Sequence, residues 1–216
     1  MAEVVTSTKP QSKRGRRFTN FVARNYLNLF SAGLLLAALF YFAQVQQLRI
    51  ATLSNNPELF SDGDLAVVTR VIDGDELRIR NSRGSTLVRV LGIKSFDATE
   101  RDLLLAEYGK VAVDYLEAEA VGKEMRVQLA DKKVDGEGRL LATLYTGEQH
   151  DQDLAETMLA NGLTLVFTKF AFESMDEYLK FQDVAKENKI GLWQNQRVSA
   201  RSESMLNLWN QERRDR

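Results

Sequence analysis

The run Leu87-Val88-Arg89-Val90-Leu91-Gly92-Ile93 is apolar and rich in β-formers, with one arginine inside it. A guanidinium in an apolar strand is costly unless an anion meets it. Any fold of this chain must therefore bring a carboxylate, or a bound phosphate, to Arg89. Asp75 and Asp97 are the nearest candidates in the sequence. They sit in one stretch, Val71 to Asp97, that reads as two short strands, a tight turn and a third strand. Leu77 and Ile79 alternate with Glu76, Arg78 and Arg80, the period of a half-buried strand. Ser82-Arg83-Gly84 supplies the reversal. Gly74, between Asp73 and Asp75, is expected at a turn with φ > 0.

The pattern continues on both sides. Leu65 to Ile72 reads as a strand. Thr99 to Val121 reads as a helix, opened by a Thr99/Asp102 capping box, with Tyr108, Val111, Ala112, Tyr115 and Leu116 on its inward face. Met125–Leu129 and Arg139–Tyr145 are expected strands around a charged loop, Asp131–Gly138. A short helix is expected over Asp151–Asn161. Another runs from the Ser174/Glu177 box to about Lys189, with Tyr178, Phe181, Val184 and Ala185 inward. The order β-β-β-α-β-β predicts an α+β domain built on a curled antiparallel sheet, a small closed or partly open barrel with about three helices. The domain is expected over residues 65–193, after a linker at 47–64. Residues 194–216 form a C-terminal tail in which Met205, Leu206, Leu208 and Trp209 make an amphipathic turn.

The N-terminus differs in kind. Residues 1–24 carry six basic side chains against Glu3 and are expected to be a disordered tail. With a net charge of −1 for the whole chain, the remainder is left at about −6. That is a weak field for a nucleic-acid binder, whose affinity comes largely from Lys and Arg on phosphates. Tyr26 to Val45 has no charge and as a helix spans roughly 30 Å. A single transmembrane helix is expected over 25–46. No small-x-small motif follows it, so a retained anchor is favoured over a cleaved signal peptide. Basic residues precede it, which keeps the N-terminus in the cytoplasm and the folded domain on the periplasmic or extracellular side. The absence of cysteine excludes disulfides and thiolate metal sites, and one histidine excludes a multi-histidine site.

Several pieces together resemble the staphylococcal nuclease (thermonuclease) family. They are Val71-Ile72-Asp73-Gly74-Asp75, Arg89 to Ile93, Glu107-Tyr108-Gly109, Gly138 to Ala142, Asn161-Gly162-Leu163 and Gly191-Leu192-Trp193. The resemblance covers about Val67 to Trp193. It implies a five-stranded OB-fold barrel, and in active members calcium, a catalytic glutamate and two phosphate-binding arginines. Carried over by position, the first metal aspartate falls on Asp75 and the carbonyl ligand on Ser95. The arginines fall on Arg89 and Arg139, and the catalytic position on Asp97, one methylene short of glutamate. The second metal aspartate falls on Lys94. The nucleotide-contacting lysine and tyrosine fall on Gly136 and Glu137, and the nucleotide-packing tyrosines on Thr168 and Phe170.

Calcium takes six to eight hard oxygen ligands, and an ammonium cannot be one. Two like charges about 4 Å apart cost on the order of 4 kcal/mol at an effective dielectric of 20. Two readings follow. In one, the domain has lost or reduced catalysis and serves a protein or polyanion partner beside the membrane. There Asp75 caps a turn, Arg89 and Lys94 are structural cations, and Arg139 borders a loop. In the other, it is a nuclease with a rebuilt site. Asp97 is then the base, Asp75 and Ser95 hold metal weakly, Lys94 neutralises substrate phosphate, and nucleic acid is the substrate.

Overall fold

The computed structural model describes residues 30–45 and 55–216. The chain divides into two compact units, Met1–Ile50 and Ala51–Arg216. In the first, residues 30–45 form a helix, α1, on which Leu34, Leu35, Phe40 and Phe42 are exposed. Among the described residues no helix is long and apolar enough to cross a membrane. The ends of the expected span, 25–29 and 46, lie outside the described residues, as do the basic tail and linker residues 47–54.

The second unit is a closed barrel. Its strands in chain order are β1 (Leu65–Asp73), β2 (Glu76–Arg80), β3 (Ser85–Val90) and a two-residue β4 (Ile93–Lys94). Helix α2 (Leu103–Glu119) follows, then β5 (Glu124–Val134) and β6 (Leu140–Thr146). The sheet order is β3-β2-β1-β5-β6, and a pairing of β3 with β6 closes it into five strands. That closing pair is parallel; β1–β2, β2–β3, β1–β5 and β5–β6 are antiparallel. Closure leaves no long free edge on these strands. The rest wraps one side: β7 (Gln152–Asp153), α3 (Leu154–Ala160), β8 (Leu165–Val166), α4 (Met175–Glu187) and α5 (Gln196–Arg214). β8 pairs with β4.

The core follows from strand alternation. Val68, Leu77, Ile79, Val88, Val90, Met125, Val127, Leu140, Ala142 and Leu144 point inward and are buried. Ala112 and Leu116 of α2 close one end of this cluster. A second cluster, around Phe96, Leu165, Leu192, Trp193 and Trp209, lies under α5.

Several expectations need correction. α2 begins at Leu103, not Thr99, because the Asp102 side chain accepts from Leu104 N and caps it. Its buried residues are Leu105, Gly109, Ala112 and Leu116, and Val111 is exposed. In α4, Gln182 is buried and Val184 exposed, so the inward face is rotated from the one expected. Ser174 makes no side-chain cap bond. β5 runs to Val134, five residues past its expected end. The C-terminal segment, expected to hold only an amphipathic turn over Met205–Trp209, is a full helix capped by Asn195, with Val198, Ser202 and Trp209 buried. Gly74 is not among the positive-φ residues. A Cβ there would meet Ala112 Cβ and Ser95 Cβ at 2.7 Å, so glycine lets the Asp73–Asp75 turn lie directly on α2. Gly162 and Gly191 also meet backbone to backbone: Leu192 N donates to Gly162 O at 2.8 Å. These two motif glycines therefore serve a packing contact, and both have positive φ.

Asp153 ties the helices together. It caps α3 through Ala155 N at 2.8 Å and accepts from the Tyr178 hydroxyl of α4 at 2.7 Å. Burial pushes its carboxyl above the usual range, against the hydrogen bonds it accepts. A folded pKa above the unfolded one gives stability that is complete below about pH 4 and is lost as pH rises through the folded value. Asp153→Asn removes that titration. Its melting temperature relative to wild type should therefore rise between pH 4 and 7; a pH-independent difference would contradict this assignment.

Candidate functional site

Asp75 sits at the entrance to β2 and is 1% exposed. Three neighbours converge on it. Lys94 Nζ, from β4, donates to Oδ1 at 2.8 Å. The Ser95 hydroxyl donates to the same oxygen at 2.9 Å. An Arg89 guanidinium nitrogen lies 3.4 Å from Oδ2. Lys94 also lies 3.6 Å from Asp73 Oδ2. Burial, first, pushes the Asp73 carboxyl up, and neighbouring Asp75 adds to this while the Gly74 N–H and Lys94 oppose it. So the anion demanded by Arg89 is Asp75, and Asp75 is shared with Lys94.

Arg89 also lies 5.1 Å from the centroid of the Phe167 ring. Phe167 is held in turn edge-to-face by Trp209 of α5, at 5.0 Å. The Lys169–Glu212 ion pair at 2.7 Å and Arg216 over Phe170 at 4.4 Å fasten the same loop to α5 and the residues after it. Thr168 and Phe170, where the resemblance would put nucleotide-packing tyrosines, are thus drawn against the C-terminal helix. Thr168 is 1% exposed and Phe170 is 48% exposed.

Arg139 stands just before β6 and is held by three carboxylates. Glu76 lies 2.7 Å away, Asp135 2.7 Å and Glu137 3.3 Å. Burial pushes the Asp135 carboxyl up, but hydrogen bonds from the Arg139 backbone and side chain and from Glu137 N outweigh it and hold it low. Glu76 is also the cross-strand neighbour of Arg89. Glu76 thus stands opposite Arg89 on the ladder while its carboxylate is paired with Arg139. Asp97 stands apart. It is exposed, and its Oδ1 accepts from the Thr99 hydroxyl at 2.7 Å and Thr99 N at 2.6 Å. Those two bonds, the hydroxyl's first, hold its carboxyl below the ordinary range. Asp97 forms no ion pair with Arg89, Lys94 or Arg139 among the described residues. A strongly ionised, hydrogen-bonded carboxylate is a weak general base.

The residues that the resemblance assigns to calcium have other partners here. Both Asp75 oxygens face cations, and the ligand position at 94 carries an ammonium. Among the described residues no cluster of three or more carboxylate or histidine side chains is placed to hold a metal. The sequence reading missed Asp73, Glu76, Asp135, Phe167 and Trp209 as partners. Asp73 and Glu76 were adjacent to the Asp75 motif. The others come from loops and a helix whose approach no local pattern encodes.

Residues 87–195 match the family described as staphylococcal nuclease homologue. The chain is 27% identical over 126 residues to an uncharacterized endonuclease of Escherichia coli, covering 58% of this chain and 74% of that protein. It is 25% identical over 129 residues to the thermonuclease of Staphylococcus hyicus, covering 59% and 75%. It is 26% identical over 137 residues to that of Staphylococcus intermedius, covering 61% and 77%.

Removing one partner of a buried ion pair leaves an uncompensated charge. Lys94→Met should lower unfolding free energy by about 2–3 kcal/mol in urea, less than a full loss because Arg89 and Ser95 remain. Lys94→Arg, which keeps the charge, should cost under about 1 kcal/mol by the same argument. Equal losses in the two variants would show that packing, and not the charge, matters at this position.

Proposed function

Since the chain belongs to the family of staphylococcal nuclease homologues, with thermonucleases and endonucleases among its relatives, we propose that it keeps the nuclease barrel with lost or reduced catalysis and acts as a binding or assembly module. One observation carries this reading: the Lys94 ammonium rests 2.8 Å from Asp75 at the position of a metal ligand. A cation of fixed charge there opposes entry of a divalent ion. The engagement of Asp97 by Thr99 and of Arg139 by three carboxylates supports it further, because both groups already have partners.

A metal-dependent nuclease acting on DNA or RNA with a rebuilt site is the second reading. It is favoured by the names of the relatives and by the place of Glu76, opposite Arg89 and paired with Arg139. In it, Lys94 neutralises substrate phosphate and Asp97 must turn away from Thr99 to act as base.

We also propose that residues 25–46 anchor the protein in a membrane with the N-terminus cytoplasmic and the domain on the periplasmic or extracellular side. The support is the charge-free run from Tyr26 to Val45 and the basic residues before it.

Three experiments test these proposals. Digestion of single-stranded and plasmid DNA by the detergent-solubilised chain, with calcium, magnesium or manganese, should not exceed that of an Arg89→Ala/Asp97→Ala control. Lys94→Asp should be less stable without calcium, recover stability when calcium is added, and gain calcium-dependent cleavage. Calcium-dependent cleavage by the wild type would overturn the first proposal. The chain has no cysteine, so a single Lys133→Cys variant can report sidedness. In intact cells it should react with a membrane-impermeant maleimide; labelling only after lysis would refute the topology.

A further inference from the structure

Between α4 and α5 lies a cavity of about 290 Å³. None of the residues of the Asp75 cluster lines it, and one wall belongs to α5, beyond the matched residues 87–195. Thr168 lines it from the loop after β8. Its side chain is buried, and its hydroxyl has no hydrogen-bond partner among the described residues. A buried hydroxyl left unpaired costs free energy, so its presence in a cavity wall points to a partner from outside the chain. Gln182, also buried, lines the same cavity. Its side-chain oxygen accepts from Val166 N at 2.9 Å, which leaves Nε2 as the end free to donate. The walls are tied together: Lys186 of α4 pairs with Glu203 of α5 at 2.9 Å, and Lys169 joins the Thr168 loop to Glu212 at 2.7 Å.

We propose that this cavity binds one neutral pyranose unit of a saccharide. Charge comes first. The lining carries Asp183 and Glu203 against Lys186, one negative charge in excess, which disfavours a phosphate or carboxylate ligand. Hydrogen bonding comes second. Asp183 forms no ion pair among the described residues, and Asn207 is exposed. A carboxylate accepts from a hydroxyl, while amides and hydroxyls both donate and accept. Thr168, Gln182, Asp183 and Asn207 can therefore meet neighbouring ring hydroxyls in both directions. Shape comes third. Leu179 and Leu206 supply apolar surface for the C–H groups of the ring. No aromatic ring lines the cavity, so a flat base finds no stacking partner there. The site stands whether or not the Asp75 cluster retains catalysis.

The test uses the full chain in a zwitterionic detergent, which has no sugar headgroup to compete. Saturation-transfer NMR is read with glucose, galactose and N-acetylglucosamine. At least one of them should receive transfer, with an affinity that salt does not weaken. Thr168→Val removes the hydroxyl and should lower that affinity about tenfold, the order expected when one hydrogen bond is lost. It should also melt no lower than wild type, because the hydroxyl it removes has no partner within the folded chain. Asn207→Ala, at an exposed position, should weaken binding without unfolding the chain. No transfer to any of the three sugars would overturn the proposal, as would transfer unchanged in both variants. So would a stronger, variant-sensitive signal from uridine monophosphate. The DNA digestion assay reads the ion cluster around Asp75 separately, so failure of either result does not mimic failure of the other.

Discussion

A carboxylate that is 1% exposed must find positive charge or hydrogen-bond donors inside the protein, because water does not reach it. Asp75 finds both. Lys94, Arg89 and Ser95 all turn to it, Arg89 from β3 and the other two from the end of β4. This convergence fixes where the chain leaves β3, where β4 starts and how closely α2 can approach. Gly74 allows the last of these, since any side chain there would strike Ala112 and Ser95. The same convergence sets the chemistry. A divalent ion approaching this carboxylate would meet the ammonium and the guanidinium already beside it.

The second cation of the cluster is linked to the C-terminal helix. Arg89 rests on Phe167, and Phe167 rests on Trp209. α5 lies beyond the part of the chain that matches the family, residues 87–195, yet it buries Trp209 against a loop that follows β8. The loop is fastened at several points, so the surface beside Arg89 is built partly by residues outside the matched segment. The helix α5 thus packs against the loop beside Arg89.

Much of the barrel was legible in the sequence because strand alternation and turn chemistry are local. Leu77 and Ile79 point inward as their period requires, and Arg89 does meet a carboxylate. Which carboxylate it meets was not legible. Asp75 and Asp97 were equal candidates, and only the turn of Asp97 towards Thr99, two residues on, separates them. The inward faces of α2 and α4 were misjudged for a related reason. Val111 and Val184 are apolar and correctly spaced, but the segment Phe96–Ala98 presses on Gly109 of α2, and α3 and β8 press on the stripe of α4 that holds Gln182, so these are buried instead. Gln182 is accommodated because its side-chain oxygen accepts from Val166 N at 2.9 Å. The helical C-terminus was hidden by its charge. A run rich in Arg and Glu resembles a solvated tail until Val198, Ser202 and Trp209 are seen as one buried stripe.

In the proposed reading, the ammonium of Lys94 neutralises Asp75 in place of a metal. A crystal structure of the folded unit grown in excess calcium with a bound nucleotide diphosphate tests it most directly. Lys94 Nζ is expected within hydrogen-bond distance of Asp75, with no metal density beside it. Ordered calcium coordinated by Asp75 and the Ser95 carbonyl, with Lys94 swung out to solvent, would contradict it.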